Sequence, residues 1–262
     1  MYKGVKNMIV YLTSCLDLYE KDEEGNRTPH HFGNENKILD NLRKHIKKYD
    51  NFLFVASVED CPEMTDMYAE NTFRSFDITL PFKNYAILDG RTKDRAEELL
   101  SSADFIFLCG GHVPTQNAFF KNIDLRNKIA NVDAVVLGGS AGSMNAANVV
   151  YCPPELEGES LDPTFKRYFE GLGLSNINIY PHWNKLKDEM LDGKRVTEDI
   201  VLPDSYNIDI LVLDDGSYVL HEDDKTTVYG SAYIMRNGTI TQICEKEQTI
   251  PYQNQKPAEM CK

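Results

Sequence analysis

Residues 134–143 read AVVLGGSAGS, a short apolar run that ends in a turn of small residues. The run predicts a buried strand, and the small residues over Ser143–Val149 predict a helix soon after the turn. A serine at a sharp strand-to-helix turn projects its hydroxyl from the end of the sheet, where it can act as a nucleophile. The sequence therefore indicates Ser140 as a candidate nucleophile and the N–H of Ala141 as a candidate oxyanion donor. A turn that only packs strand against helix, or that binds a phosphate, has the same composition.

Outward from this turn, short apolar runs alternate with amphipathic stretches through the first two-thirds of the chain. This alternation predicts an α/β fold with a doubly wound, mostly parallel sheet and helices on both faces. The strands are expected at Met8–Leu12, Phe52–Ser57, Tyr85–Leu88, Phe105–Cys109 and Ala134–Leu137, and the helices at Asn34–Tyr49, after Pro62, at Thr92–Ser101 and at Pro114–Ala130.

The last third of the chain has a different pattern, with short strand-like runs joined by turn dipeptides such as Asp215-Gly216 and Asn237-Gly238. Such a pattern predicts antiparallel hairpins, which we expect at one edge of the sheet. No repeat or linker interrupts the chain, so a single domain over residues 1–262 is the simplest organisation, with a polar, loose tail from Pro251. The expected strands are Ile208–Leu213, Ser217–His221, Thr226–Gly230, Ala232–Met235 and Thr239–Cys244.

The composition is that of an ordinary globular protein, with 42% hydrophobic and 26% charged residues. A formal net charge of −13 disfavours nucleic acid and anionic membrane surfaces as partners. No apolar run approaches the roughly 20 residues that a membrane-spanning helix needs. The six cysteines are scattered without a C-x-x-C pair, which is typical of free thiols in a reducing compartment. These features predict a cytoplasmic protein.

A second diglycine, Gly110-Gly111, ends the strand that precedes the nucleophile strand. Because the carboxyl ends of neighbouring parallel strands line one crevice, the N–H of Gly111 is a candidate second oxyanion donor. Taken alone, the two glycines are better explained by a simple turn with a positive φ angle.

His182 is the candidate general base, since it directly follows the apolar run Ile177–Pro181 and would lie at a strand end. Beside Trp183 it could equally be a packed structural residue. A catalytic imidazole also needs a carboxylate that sets its tautomer. Asp215, at the end of another apolar run, is the first candidate, and Glu155, in the loop beyond the nucleophile helix, is the second.

Four short sequence motifs, in this order along the chain, resemble those of the serine peptidase family of aspartyl dipeptidase (peptidase E) and cyanophycinase. That family has the class I glutamine amidotransferase-like, flavodoxin-like fold. The resemblance spans roughly Met8 to Leu220, most of the chain. The motifs are Gly110-Gly111 followed by Gln116, then Gly139-Ser140-Ala141-Gly142, then Pro181-His182-Trp183, and last Leu213-Asp214-Asp215-Gly216-Ser217-Tyr218.

The resemblance implies a serine peptidase that hydrolyses short peptides without a cofactor, with N-terminal aspartyl dipeptides as one candidate substrate. It implies that Gly110, His112 and Gln116 lie near the substrate. Aspartyl specificity would need a fixed cation, for which Arg195 is our choice among Lys185, Lys194 and Arg195. Two departures put that specificity in doubt: His112 stands where aspartyl dipeptidase has asparagine, and an acidic, insertion-like loop occupies Asp17–Phe32.

Three alternatives remain open. Glutamine amidotransferases share the fold but use a cysteine at the position of Ser140. An α/β-hydrolase esterase would need Asp215 followed by His221, too close together to approach the serine from separate loops. A non-catalytic binding module on the same fold is not excluded. No metal-ligand spacing is present, so no metal is expected, and the chain is predicted to act as a monomer or homodimer.

Overall fold

The computed structural model describes residues 8–222 and 225–259. Eight helices lie within these residues, together with short 3-10 turns at Glu35–Lys37 and Lys93–Arg95 and a π-helical segment at Val196–Val201. The strands are β1 (Ile9–Thr13), β2 (Tyr19–Lys21), β3 (Arg27–Pro29), β4 (Asn51–Val55), β5 (Asn84–Leu88), β6 (Phe105–Leu108), β7 (Val135–Gly139), β8 (Val149–Tyr151), β9 (Tyr168–Glu170), β10 (Asn178–Tyr180), β11 (Met190–Leu191), β12 (Lys194–Arg195), β13 (Ile210–Leu213), β14 (Tyr218–Glu222), β15 (Lys225–Tyr229), β16 (Ala232–Arg236), β17 (Thr239–Cys244) and β18 (Thr249–Pro251). The helices are α1 (Ile38–His45), α2 (Pro62–Thr79), α3 (Ala96–Ser102), α4 (Val113–Asn122), α5 (Leu125–Ile129), α6 (Ala141–Asn145), α7 (Trp183–Leu186) and α8 (Leu202–Asp204).

The central sheet has the strand order β18-β15-β14-β1-β7-β6-β4-β5. Strands β1, β7, β6, β4 and β5 pair in parallel with their neighbours in this order. Strands β14, β15 and β18 extend the sheet through antiparallel pairs. Strand β7, which ends at the candidate nucleophile, lies between β1 and β6. The carboxyl ends of β1, β6 and β7 therefore meet at one edge, where ligands bind in open α/β sheets.

Apolar side chains cover both faces of this sheet because alternate residues of a strand point to opposite sides. On one face, Phe52 and Phe54 of β4 pack with the apolar sides of α1 and α2. On the other face, Leu53 and Val55 pack with α3, α4 and α5. The predicted mostly parallel sheet with helices on both faces is thereby confirmed.

The placement of the C-terminal strands differs from the prediction. Only β14, β15 and β18 extend the central sheet, while β13, β16 and β17 join β10 in a second, four-stranded sheet. Strand β13 is buried on both sides: Ile210 and Val212 face one apolar cluster, and Leu211 and Leu213 face the core of the central sheet. Periodicity alone does not distinguish which of several short strands pair with one another.

Several element bounds also differ. The stretch predicted as one helix from 114 to 130 is two helices, α4 and α5, separated by Asp124 with φ 52°. Helix α6 covers Ala141–Asn145, and Val149 already belongs to β8. The acidic segment after Asp17 forms the β2–β3 hairpin, and its Arg27 lies over the Tyr68 ring of α2 at 4.8 Å.

The described part of the tail beyond Pro251 is attached to the domain by hydrogen bonds, although most of its residues are exposed or half-buried. The backbone N–H groups of Gln255 and Lys256 donate to the buried Asp209 carboxylate at 2.9 and 3.1 Å. Ala258 is buried against the second sheet. None of the helices in the described ranges combines the length and apolarity that crossing a membrane requires.

Candidate active site

Ser140 occupies a sharp turn between β7 and α6, with φ 49° and ψ −112°. A positive φ is strained for a residue with a side chain, so the surrounding structure must hold it. Its N–H donates to the carbonyl oxygens of Thr13 and Ser14, both at 3.1 Å. The Ser143 hydroxyl binds the carbonyl oxygens of Gly138 and Thr13 at 2.6 and 2.9 Å. The end of β1 thus holds the serine turn.

Two glycines let backbone segments approach the turn closely. A Cβ atom on Gly142 would lie 2.2 Å from the carbonyl oxygen of Leu108, at the end of β6. Gly111 has φ 155°, and a Cβ atom there would lie 2.5 Å from the Cβ of Ser57. Gly111 and Gly142 are therefore required for packing, whatever chemistry their segments also perform.

His182, the candidate base, follows β10 and lies at the same cavity as Ser140. Its Nδ1 atom lies 2.6 Å from Oδ1 of Asp215, which follows β13. Strands β10 and β13 are parallel neighbours, so their carboxyl ends bring the two residues together. The backbone N–H of His182 donates to the Ser14 hydroxyl at 2.7 Å, which joins the second sheet to the end of β1.

Asp215 accepts three side-chain hydrogen bonds. Besides the imidazole, the Ser14 hydroxyl donates to Oδ1 at 2.9 Å and Lys185 Nζ donates to Oδ2 at 2.6 Å. Burial acts to raise the pKa of Asp215, but the hydrogen bonds from His182, Lys185 and Ser14 outweigh it and hold that pKa well below its usual range. An ionised carboxylate at Nδ1 selects the tautomer whose Nε2 lone pair is available as a base.

Ser140 and His182 line one cavity of about 220 Å³. No hydrogen bond joins their side chains in the described structure. Gly111 also lines the cavity, and a Cβ on Gly110 would lie 3.6 Å from Cβ of Ser140. The described residues offer no acceptor to the N–H groups of Gly111 and Ala141. The complete lining is Gly111, Ser140, Met144, Pro153, Pro154, Glu155, Tyr180, Pro181, His182, Leu186, Glu189 and Val196.

Glu155, the second candidate acid, lies in the cavity wall and makes no hydrogen bond to His182. The residue as a whole is exposed to solvent, but many protein atoms surround its carboxyl group. This burial raises the pKa of Glu155 to about 7, against a hydrogen bond from the Val113 backbone. Its own N–H donates to Glu159 at 2.8 Å. Glu155 is thus fixed in the wall and separate from the imidazole.

The structure places two of the expected substrate contacts, Gln116 and Arg195, outside the cavity wall. Gln116 is fully buried; it donates to the Cys109 carbonyl at 2.7 Å and accepts from Asn145 at 3.0 Å, so it supports the diglycine turn from behind. Arg195 is exposed and paired with Asp199 at 2.7 Å, away from the cavity wall. Neither residue lines the cavity, and each is held by a neighbour.

His112, the third predicted contact, lies beside the cavity rather than in its wall. Its Nε2 is 2.9 Å from Oε1 of Glu159, and its Nδ1 is 2.8 Å from the Thr115 hydroxyl. Since Glu159 also holds the backbone of Glu155, His112 connects the diglycine turn to the loop that carries Glu155.

Sequence reasoning missed Ser14 and Glu189. Ser14 directly follows the end of β1, so the rule that functional groups gather at strand ends could have indicated it. Glu189 lies in an irregular segment after α7, and its position in the cavity wall has no local sequence signal. Lys185 was considered as a substrate cation, whereas its ammonium binds Asp215. In residues 8–222 and 225–259, no three His, Cys, Asp or Glu side chains are grouped to hold a metal ion.

Comparison with known proteins identifies the class. The sequence pattern of peptidase family S51 matches residues 25–229. The chain belongs to this family, and it is a serine-type peptidase of the peptidase E kind, whose substrates are peptides. No curated protein sequence matches the chain.

Two solved structures share the fold. A peptidase from an acI-B1 actinobacterium superposes with a TM-score of 0.66 at 16% identity, covering 96% of this chain and 99% of that one. A peptidase E candidate from Listeria monocytogenes EGD-e gives a TM-score of 0.54 at 14% identity, covering 91% and 100% of the respective chains. At these identities the likeness concerns the fold.

Proposed function

We propose that the chain hydrolyses short peptides through an acyl-enzyme on Ser140, with His182 as general base and Asp215 as the acid that orients it. The observation that carries this proposal is the 2.6 Å contact between His182 Nδ1 and Asp215 Oδ1, in a histidine that shares a cavity wall with a serine on a strained turn. Each element of the triad comes from a different strand end, which is how an α/β sheet assembles such sites.

The chemistry follows from this arrangement. His182 Nε2 removes the Ser140 proton as Oγ attacks the scissile carbonyl, and the N–H groups of Gly111 and Ala141 stabilise the oxyanion. The imidazolium then protonates the leaving amine as the C–N bond breaks. Water, deprotonated by the same imidazole, attacks the acyl ester and releases the acid. In unliganded enzymes the hydrogen bond from serine to histidine is often long, and it tightens when substrate binds.

Asp215 is the better candidate acid for two reasons. It contacts Nδ1 directly, and its low pKa keeps it ionised as the imidazolium forms. Glu155 has a pKa of about 7 and no contact with the ring, so it is partly protonated at neutral pH.

The test is covalent labelling of Ser140 by a fluorophosphonate, in which Oγ displaces fluoride from phosphorus. We expect labelling of the native protein, none of Ser140→Ala, and at least 100-fold slower labelling of His182→Ala. Dipeptides and p-nitrophenyl esters are then compared as substrates. Absence of labelling would favour the non-catalytic binding module, and cleavage of esters alone would favour an esterase.

We also propose that residues 1–262 form one domain that acts in the cytoplasm as a monomer or homodimer, without nucleic acid. The apolar core contains residues of both sheets, such as Leu12 of β1 and Leu213 of β13, which supports one folding unit. The described cysteines Cys15, Cys61, Cys109, Cys152 and Cys244 are free thiols, as a reducing compartment favours. A single cooperative unfolding transition, measured together with the mass in solution, tests the domain organisation and the oligomeric state.

A further inference from the structure

The two proposed oxyanion donors belong to different turns of the chain. Gly111 lies between β6 and α4, and Ala141 is the first residue of α6. Both N–H groups must donate to one oxygen atom of the transition state, at about 2.7–3.1 Å from it. A misplacement of about 1 Å costs on the order of 100-fold in rate. Because two helices and a strand separate the donors along the chain, tertiary contacts must set their separation.

Two buried carboxamides join these turns. Asn145, the last residue of α6, donates from Nδ2 to Oε1 of Gln116 at 3.0 Å. Gln116 in turn donates from Nε2 to the carbonyl oxygen of Cys109 at 2.7 Å. Both carboxamide side chains are fully buried. The path therefore runs from the helix that begins at Ala141 to the residue directly before Gly110.

The orientation of both amides is fixed by their surroundings. Asn145 Nδ2 also donates to the carbonyl oxygen of Val113 at 3.1 Å, and Asn145 Oδ1 accepts from Asn117 at 3.0 Å. The carbonyl oxygens of Val113 and Cys109 only accept hydrogen bonds, so each determines which way its amide partner points. A buried network in which these bonds are all made is rigid, because losing any partner is costly.

Filling this space does not by itself require amides. Apolar side chains would fill it without the cost of removing polar groups from water, whereas hydrogen bonds also fix direction. Helix α6 rises only about 6 Å from Ala141 to Asn145, so an anchor at its end holds its beginning. The close contact of Gly142 with the Leu108 carbonyl oxygen limits how near α6 comes to β6, and the amides limit how far it moves away.

We propose that Asn145 is a positioning residue for the oxyanion hole, and that its carboxamide holds the N–H groups of Gly111 and Ala141 at the separation that one oxyanion requires. Asn145 acts through Gln116 and does not line the cavity. This inference rests on the proposed acyl transfer to Ser140.

Two variants break the path at its two ends. Asn145→Ala removes one carboxamide, and Gln116→Met replaces the other by an unbranched side chain of similar length. Thr79→Val is the matched control, because it removes a buried hydroxyl of α2 that donates to the Ser75 carbonyl oxygen at 2.8 Å, outside both turns. Thermal unfolding measures the stability of each protein.

The readout compares p-nitrophenyl acetate with p-nitrophenyl thionoacetate, in which sulfur replaces the carbonyl oxygen. The leaving group is the same, but sulfur is larger and accepts hydrogen bonds more weakly, so donors placed for oxygen discriminate against it. Release of p-nitrophenolate with enzyme in excess gives the acylation rate for each. The ratio of the two rates reports on the oxyanion donors, because a smaller folded fraction lowers both rates equally.

We expect the native protein to prefer the oxygen ester by at least 100-fold. Asn145→Ala and Gln116→Met should each slow acylation by this ester roughly ten- to 100-fold and reduce the preference at least tenfold. Combining the two substitutions should reduce the preference no further, because both break one path. Thr79→Val should keep the native preference.

An unchanged preference in the folded variants would overturn the inference, and so would an equal decrease in Thr79→Val. Gln116→Met keeps the test decisive where Asn145→Ala fails to fold. Failure of the proposed function is distinguishable. Fluorophosphonate would then not label Ser140, and Ser140→Ala would be acylated as fast as the native protein, whereas a labelled Ser140 with an unchanged preference would remove the positioning role alone.

Discussion

The backbone N–H of His182 donates to the Ser14 hydroxyl at 2.7 Å, and this bond joins the end of one sheet to the end of the other. The same hydroxyl donates to Asp215 at 2.9 Å. Ser14 is buried beside the turn of Ser140, whose N–H binds the Ser14 carbonyl. One residue at the end of β1 therefore sets the positions of nucleophile, base and acid relative to one another.

Ser14→Ala should lower kcat/KM by roughly ten- to 100-fold, since it removes one donor to a charged carboxylate and the acceptor of the His182 amide. Peptide hydrolysis and the rate of fluorophosphonate labelling both measure the loss. Ser14→Thr, which restores a hydroxyl, should recover most of the activity. Ser231→Ala is the matched control, because that hydroxyl donates to the neighbouring Asp214 at 2.6 Å. Equal losses in Ser14→Ala and Ser231→Ala would contradict a positioning role for Ser14.

Asp215→Asn should reduce kcat by about 10⁴-fold, because an amide at this position does not enforce the tautomer that leaves Nε2 free. The measurement is single-turnover acylation with a peptide ester, alongside thermal unfolding to verify the fold. Glu155→Gln provides the comparison between the two candidate acids. A larger loss of acylation rate in Glu155→Gln than in Asp215→Asn would reverse our choice of orienting acid.

Gly142→Ala should destabilise the protein by about 3 kcal/mol or more, because its Cβ would lie 2.2 Å from the Leu108 carbonyl oxygen and α6 would have to move away from the end of β6. Urea unfolding measures the change. Gly33→Ala is the control, since the nearest atom to its Cβ is 4.0 Å away. Similar stabilities of the two variants would show that β6 and α6 are not in the close contact described.

Asp209→Asn should destabilise the protein by about 3 kcal/mol at pH 7, since Asp209 is buried with Arg236, which donates to it at 2.6 and 2.7 Å. Burial acts to raise the pKa of Asp209, but the bonds from Arg236 and from the amides of Gln255 and Lys256 lower it overall. The stabilisation is therefore present above the unfolded pKa near 3.9 and lost as pH falls through the lower pKa of the folded state.

The pH dependence provides the check on this assignment. Between about pH 5 and pH 2 the stability of the native protein should fall more steeply than that of Asp209→Asn. Asp199→Asn, which breaks the exposed pair with Arg195, should leave the stability close to that of the native protein, because solvent screens exposed ion pairs. A parallel fall of the native and Asp209→Asn proteins would mean that Asp209 does not have the lowered pKa.

Much of the site was predictable because its signals are local. An apolar run that stops at Gly138-Gly139-Ser140 specifies a strand, a turn and a helix by short-range sterics, and the structure has these elements. His182 and Asp215 were identified for the same reason, since each follows an apolar run and strand ends gather at one edge of a parallel sheet. The positions of Gln116 and Arg195 outside the cavity wall could not be predicted, because a motif shows where a residue lies in the chain but not which neighbour holds its side chain.

By itself, the sequence determined the alternation of strands and helices, the serine turn at the end of β7 and the strand-end positions of His182 and Asp215, because periodicity and turn chemistry act over a few residues. Tertiary structure alone decided that Asp215 rather than Glu155 contacts the imidazole, and that Ser14 joins the two sheets. It also decided that the cavity is lined by carboxylates while Lys185, Lys194 and Arg195 are bound elsewhere. Apart from the Arg195–Asp199 pair, these contacts join residues from 30 to more than 200 positions apart, and only the packing of the complete sheets brings them within hydrogen-bonding distance.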